Sequence, residues 1–128
     1  MPVIHVHVRS GRTVAEKKAI LDGVHAAFME AFKIPDWDRN QLLHEHALEH
    51  FESRHGPAAT VIEASVFPGR SIEAKRSLYA ALVRNLERAA AIPPAAVMVV
   101  LSEPALECWG IRGGQAATDV QLGFKVDV

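Results

Sequence analysis

Val3-Ile4-His5-Val6-His7-Val8, followed by Gly11-Arg12-Thr13-Val14-Ala15-Glu16, is the stretch from which the fold is read. A short run rich in β-branched side chains, closed by a Gly-Arg turn, reads as a strand. Thr13-x-x-Glu16 has the form of a capping box, in which hydroxyl and carboxylate satisfy the free N–H groups of a helix start. Ile20, Leu21, Val24, Ala27, Phe28 and Ala31 then recur at three- and four-residue spacing, predicting an amphipathic helix of about five turns. That helix ends before Ile34-Pro35, because proline disfavours helical geometry in the residue preceding it. A second strand is expected at about residues 40–45.

Sliding the chain against itself by 58 positions repeats this grammar. Val3 meets Val61, Ile4 meets Ile62, Val8 meets Val66, Gly11-Arg12 meets Gly69-Arg70, Lys17 meets Lys75 and Ile34-Pro35 meets Ile92-Pro93. The second unit therefore predicts a strand over 60–67 and a Ser71 cap. A helix with its stripe on Leu78, Tyr79, Leu82, Leu86 and Ala89 follows, then a strand over 97–102. Two copies are too few for a solenoid, so the chain reads as a duplicated unit with pseudo-two-fold symmetry. Strand, helix, strand is the βαβ unit, with parallel strands and a right-handed crossover. The expected fold is α/β (α+β): two pseudo-symmetric βαβ units forming a four-stranded sheet with two helices on one face. One domain over 1–128 is expected, with units at about 2–45 and 60–103 and a C-terminal extension over 104–128. Residues 46–58 and 104–118 read as loops, and 120–128 alternates weakly, as a terminal strand that pairs with a neighbouring subunit would. The other sheet face has no helix to cover its Val, Ile and Leu side chains, and oligomerisation is the simple remedy.

With 128 residues, 49% hydrophobic and 23% charged, the chain suits one folded domain with one modest core. Fourteen Lys and Arg against fifteen Asp and Glu leave a net charge of −1, without the positive field that a nucleic acid or an anionic membrane would need. The single Cys108 excludes an internal disulfide framework and a cysteine-rich zinc site. The N-terminus lacks the basic start and apolar run of a signal peptide, so the cytoplasm is the expected location.

Pro2 is the first residue with possible chemistry. Removal of Met1, usual before a small residue, leaves proline's nitrogen as a secondary amine and a free base. An α-amino group titrates near ~7.7–8.0, and burial or a neighbouring cation pushes it toward neutrality at ~1.4 kcal/mol per unit. A base poised near the working pH is what general acid–base catalysis requires. Otherwise Pro2 merely starts a strand.

Together with Pro2, several segments taken in order resemble the tautomerase superfamily. They are the Gly11-Arg12-Thr13 turn, Ile34-Pro35-Asp36-Trp37-Asp38-Arg39-Asn40-Gln41, His44-Glu45-His46, Gly69-Arg70-Ser71 and Trp109-Gly110. The resemblance covers nearly the whole chain and is strongest to the malonate semialdehyde decarboxylase-like branch of double-length members. It implies a homotrimer, a small carboxylate substrate and cofactor-independent proton chemistry at an amino-terminal proline. That proline acts as a base in tautomerases and, protonated, as an acid in hydrating or decarboxylating members. The resemblance makes Pro2 and Asp38 catalytic, Arg70 both catalytic and carboxylate-binding, and Trp109 a substrate-binding wall of the pocket. A guanidinium at Arg70 suits a bidentate grip on a carboxylate and lowers a neighbouring amine's pKa. Asp38 also reads as a solvated turn carboxylate paired with Arg39, Trp109 as core, and Arg12, the repeat mate of Arg70, as structural. Arg112 is a further cation candidate. The decarboxylase branch carries Arg-x-Arg where this chain has Pro68-Gly69-Arg70, a departure that counts against faithful decarboxylation.

Tautomerase chemistry on a small carbonyl or enol carboxylate is thus the expected function. The alternatives are a decarboxylase or hydratase of a 3-oxo acid, and a non-catalytic oligomeric binding protein. The pairs His5-x-His7 and His44-x-His46 put like residues on one strand face, the pattern of a rival metal site. No consistently spaced carboxylate joins them, so no metal is assigned. The histidines are expected at a trimer interface or, for His44 and His46, beside the pocket. Cys108 has no basic partner in sequence and reads as inert.

Overall fold

The computed structural model describes residues 2–128. Its main sheet takes strands β1 (Val3–Arg9), β2 (Gln41–His46), β3 (Thr60–Ser65) and β4 (Val97–Ser102) in the order β2-β1-β3-β4. The outer pairs β1–β2 and β3–β4 are parallel and the central pair β1–β3 is antiparallel. His5 lies opposite Glu63, its own repeat mate 58 residues on, so the pseudo-dyad passes through that pair.

Helices α1 (Val14–Phe32) and α2 (Ile72–Ala90) lie side by side on one face. Each begins where a side chain can take up a free amide. Thr13 accepts from Glu16 N at 3.1 Å and Glu16 answers to Thr13 N at 3.3 Å, while Ser71 accepts from Ala74 N at 3.1 Å. Each ends on a residue in the left-handed region, Lys33 with φ 57° and Ala91 with φ 55°, before its Ile-Pro.

Alternation along β1 buries Ile4, Val6 and Val8 against the helices and turns His5, His7 and Arg9 to the other face. The core between the layers is completed by Phe28, Phe32, Leu78, Leu82 and Leu86, with the two phenylalanine rings edge-on at 5.6 Å. Each such burial contributes roughly 1.5–3 kcal/mol. Tyr79 departs from the expected stripe: it is exposed, and the small Ala81 takes the buried position where the helices meet.

β2 begins one residue later than expected, and β3 ends at Ser65, two residues early. Val66 still donates to Ser102 O at 2.9 Å and packs in the main core, whereas Phe67 enters a second cluster with Ile111 and Ala117. The expected loop after β4 is structured: 3-10 turns at Leu106–Cys108 and Ala117–Asp119 flank a hairpin of β5 (Gly110–Ile111) and β6 (Gln115–Ala116). Residues 120–128 alternate between half-buried and exposed as an extended chain does, yet form no strand among the described residues. Their inward side chains Leu122, Phe124 and Val126 pack on the Phe67 cluster of the same chain. The helix-free sheet face is as bare as expected, with Leu42, Met98 and Val100 each nearly half exposed.

Candidate functional site

Because β1 and β2 run parallel and β3 and β4 run against them, the starts of the first pair and the ends of the second share one end of the sheet. Pro2 is buried there, one residue ahead of Val3, which pairs with Ser65. Ile4 N donates to Asn40 O at 3.0 Å, drawing in the 35–40 segment ahead of β2. Asp38 in that segment is 2% exposed, and its carboxylate accepts from Asn40 Nδ2 at 3.3 Å. The expected alternative pairing with Arg39 does not form; Arg39 reaches outward to Asp22 at 2.5 Å. Met1, and with it the expected removal of that residue, lies outside the described residues.

Arg70 is only 6% exposed. It follows Gly69, whose φ of 127° suits glycine and whose missing side chain leaves room for Val126 O, 3.2 Å from where a Cβ would stand. The guanidinium carbon lies 4.8 Å from the centre of the Phe32 ring, and Nη1 donates to Phe67 O at 3.1 Å. Nε is buried without a hydrogen-bond partner. Burial pulls the Arg70 pKa below the ordinary guanidinium value, against the opposing fields of Glu103 and Asp38. Arginine keeps its proton even so.

The repeat explains why this arginine differs from its mate. Arg12 is bound to Glu16 at 3.1 Å and to Ala90 O at 3.2 Å. Fifty-eight positions on, Glu16 becomes Ala74, while Phe32 holds the place equivalent to Ala90. Arg70 therefore has an aromatic ring under it where Arg12 has a carbonyl, and no carboxylate one turn along its helix. The neighbouring acid, Glu103, is engaged by Lys75, as Glu45 is by Lys17 in the first unit.

Trp109 is half-buried, edge-on to Phe67 at 4.8 Å, with Nε1 donating to Pro104 O at 3.2 Å. With Val3, Ser65, Pro104 and Cys108 it lines a cleft of about 260 Å³ on the bare side of the sheet end. Pro2, Asp38 and Arg70 are thus gathered at one end of the sheet, and Trp109 walls the adjoining cleft. Arg112 is elsewhere: it is exposed and donates to Leu122 O at 3.2 Å, holding the tail. Cys108 is exposed and unpaired.

Phe32, Phe67 and Glu103 belong to this end and are absent from the sequence expectations. Phe32 carried one signal, an aromatic ring where its repeat mate is Ala90. His5, His7, His44 and His46 lie on the bare face, and among the described residues no three His, Cys, Asp or Glu side chains form a metal-ligand group.

The family model described as "Tautomerase enzyme" matches residues 38–112, and a second model of the same description matches residues 2–53. Probable tautomerase YrdN of Bacillus subtilis (strain 168) is 29% identical over 91% of this chain and 95% of its own. The crystal structure of malonate semialdehyde decarboxylase superposes with a TM-score of 0.82 at 30% identity, covering 93% of this chain and 99% of that one. A fused 4-OT described as a symmetric trimer has the same fold, with a TM-score of 0.83 at 24% identity over 91% of this chain and 96% of that one. The chain belongs to the tautomerase superfamily, on its malonate semialdehyde decarboxylase-like branch.

Proposed function

We propose that the protein is a tautomerase-like enzyme that moves a proton between oxygen and carbon of a small carbonyl or enol carboxylate. With Met1 removed, the neutral imino nitrogen of Pro2 takes the proton from one atom of the enol–keto system and returns it at the other. Arg70 holds the substrate carboxylate, Asp38 orients the reacting end, and Trp109 forms an apolar wall. The reaction as drawn needs no metal or cofactor.

The observation that carries this reading is a desolvated guanidinium without an ion-pair partner among the described residues, at the sheet end where Pro2 is buried. A buried charge is costly unless paired, and an anionic substrate supplies the pair. The bare sheet face, together with the trimeric fused 4-OT of the same fold, supports a homotrimer.

A second reading, decarboxylation or hydration of a 3-oxo acid by protonated Pro2 with Asp38 as partner, is favoured by the buried Asp38 and the malonate semialdehyde decarboxylase relative. Pro68 weighs against it, since one cationic grip remains where that branch carries two.

Mass spectrometry is expected to find Met1 missing. Pro2→Ala is expected to lose 10²–10⁴-fold in ketonisation of phenylenolpyruvate or 2-hydroxymuconate, roughly the worth of one general base, with the assembly intact. Unchanged ketonisation in that variant sinks the catalytic role and leaves a binding protein. Titration of the Pro2 nitrogen by NMR separates the chemistries: a value at or below neutrality selects the base, a clearly higher one the acid.

A further inference from the structure

The bare sheet face carries a feature that the proposed chemistry does not use. His5 and His7 on β1 stand beside His44 and His46 on β2, and the four rings are stacked. Ring centres are 5.0 Å apart for His5–His44, 4.7 Å for His7–His44 and 5.1 Å for His7–His46, with interplanar angles of 16–30°. The nitrogens meet in pairs: His5 Nδ1 with His44 Nε2 at 2.8 Å, and His7 Nδ1 with His46 Nε2 at 2.9 Å. His7 Nε2 meets Glu63 Oε1 at 3.0 Å. A basin of about 340 Å³ opens over the first of these pairs.

The nitrogen roles follow from Glu63. Its carboxylate only accepts, so His7 Nε2 donates to it. In a neutral His7 the other nitrogen, Nδ1, is then an acceptor, and His46 Nε2 is the donor. Each imidazole pair holds one N–H between its two nitrogens. A first added proton leaves that bond intact, because an imidazolium donates to a neutral ring. A second puts hydrogen on both facing nitrogens, and the bond is lost. Double protonation of either pair is therefore incompatible with its ring-to-ring hydrogen bond.

Among the described residues, the charged groups around the ladder are one guanidinium and two carboxylates. Arg9 pairs in register with His46 and lies over the Phe51 ring, 5.6 Å from its centre. Beyond β2, His50 and Glu52 share a cleft with His46. Glu63 is the carboxylate that β3 contributes, and β4 contributes only Val100 and Ser102 beside the rings. Stacked rings with paired nitrogens do not converge on one point, as four ligands at about 2.0–2.1 Å from a zinc ion would. The ligand such a stack is built to take is the proton.

We propose that His5, His7, His44 and His46 form a proton-sensitive clasp that ties the edge strand β2 to β1 when neutral and pushes it away when doubly protonated. In support, burial and the neighbouring imidazoles His7, His5 and His46 hold the His44 pKa below its ordinary value, with Glu63 opposing. A depressed histidine favours the neutral form in the folded state. Its stabilisation is whole above the unfolded value of about 6.5 and is lost as the pH falls below it toward the folded value. Since β2 follows directly on Asp38-Arg39-Asn40, release of the strand also loosens the Asp38 end of the site. That last consequence rests on the proposed catalytic role of Asp38; the clasp does not.

The test is urea unfolding of the whole protein between pH 7.5 and 5, with amide hydrogen exchange at Leu42 and His44, whose N–H groups face β1 in the parallel register. In the wild type the midpoint is expected to fall below about pH 6.5. At pH 5.5 the two amides are expected to exchange about tenfold faster, after correction for intrinsic rates, the factor that one unit of coupled proton uptake produces. The His44→Gln/His46→Gln double variant is expected to show neither change, and Pro2→Ala to show both, which separates the clasp from catalysis. Parallel pH curves for wild type and double variant would overturn the proposal. So would an acid shift that grows on dilution, which locates the effect between copies, or an equimolar zinc(II) addition that raises the wild-type midpoint and removes its pH dependence. If the double variant does not fold, imidazole titration of the wild type by NMR decides. Double protonation of a pair only with loss of β2 protection supports the clasp, and four independent titrations with protection unchanged exclude it.

Discussion

Arg12 and Arg70 are the same residue at equivalent places in a duplicated unit, and they have opposite surroundings. Arg12 is bound by Glu16 and Ala90 O; Arg70 is buried over Phe32 with Nε unpartnered. Arg70→Ala is expected to lower kcat/KM for 2-hydroxymuconate about 10–100-fold, the worth of roughly 1.5–3 kcal/mol of charge-assisted hydrogen bonding, mainly through KM. Arg70→Lys is expected to recover little of that loss, because an ammonium cannot reproduce a planar two-point grip. Arg12→Ala is expected to leave kcat/KM unchanged and to cost about 0–1 kcal/mol in urea unfolding, as a partly exposed ion pair does. The Gly-Arg turns are legible in the sequence as turns. What distinguishes their arginines is not, because Phe32 and Arg70 are 38 positions apart and meet only when the two helices are packed.

The two helices start with matched caps of unequal completeness. Thr13 has Glu16 as its reciprocal partner, whereas Ser71 has Ala74 at the corresponding place and accepts from its amide alone. Thr13→Ala is expected to destabilise by about 1 kcal/mol, within the usual 0.5–2 for a lost cap, and Ser71→Ala by less, both measured by urea unfolding. The hydrogen bond from the Thr13 backbone, with further help from the Thr13 hydroxyl and Arg12, holds the Glu16 pKa below its ordinary value despite some desolvation. A lowered carboxylate contributes stability above its unfolded value and loses that contribution as the pH falls below it. Glu16→Gln is therefore expected to flatten the acid limb of the stability curve without changing the histidine-dependent loss at higher pH. Caps, stripes and Ile-Pro stops are local signals, and both helices end where these signals place their ends. Tyr79 is the exception, because which face of α2 is buried depends on α1 lying beside it.

Across the whole molecule, one sheet face is covered by helices and the other leaves Leu42, Met98 and Val100 in the open. A face of that kind calls for a partner surface, and the proposed homotrimer supplies copies of the same chain. Met98→Glu is expected to shift the protein from trimer to monomer in light scattering coupled to gel filtration, and to make its unfolding midpoint independent of concentration. A monomeric wild type would remove that reading. No described helix is long and apolar enough to cross a membrane. The tail residues at 120–128 show how far alternation alone carries: period two correctly predicts an extended chain, but not whether its partner is a strand or the Phe67 cluster.

The order of residues along the chain determined the duplicated βαβ grammar, the helix limits, the bare sheet face and the candidates Pro2, Asp38, Arg70 and Trp109. Each of these is written in short-range spacing, in the 58-residue repeat or in a family resemblance. The tertiary structure alone decided which arginine is left without an ion-pair partner among the described residues, how the tail covers Phe67, and that four histidines from β1 and β2 stack into one ladder. The physical reason is common to all three. They depend on strand register and on helix packing between positions far apart in the chain, and no periodicity within either segment carries that information.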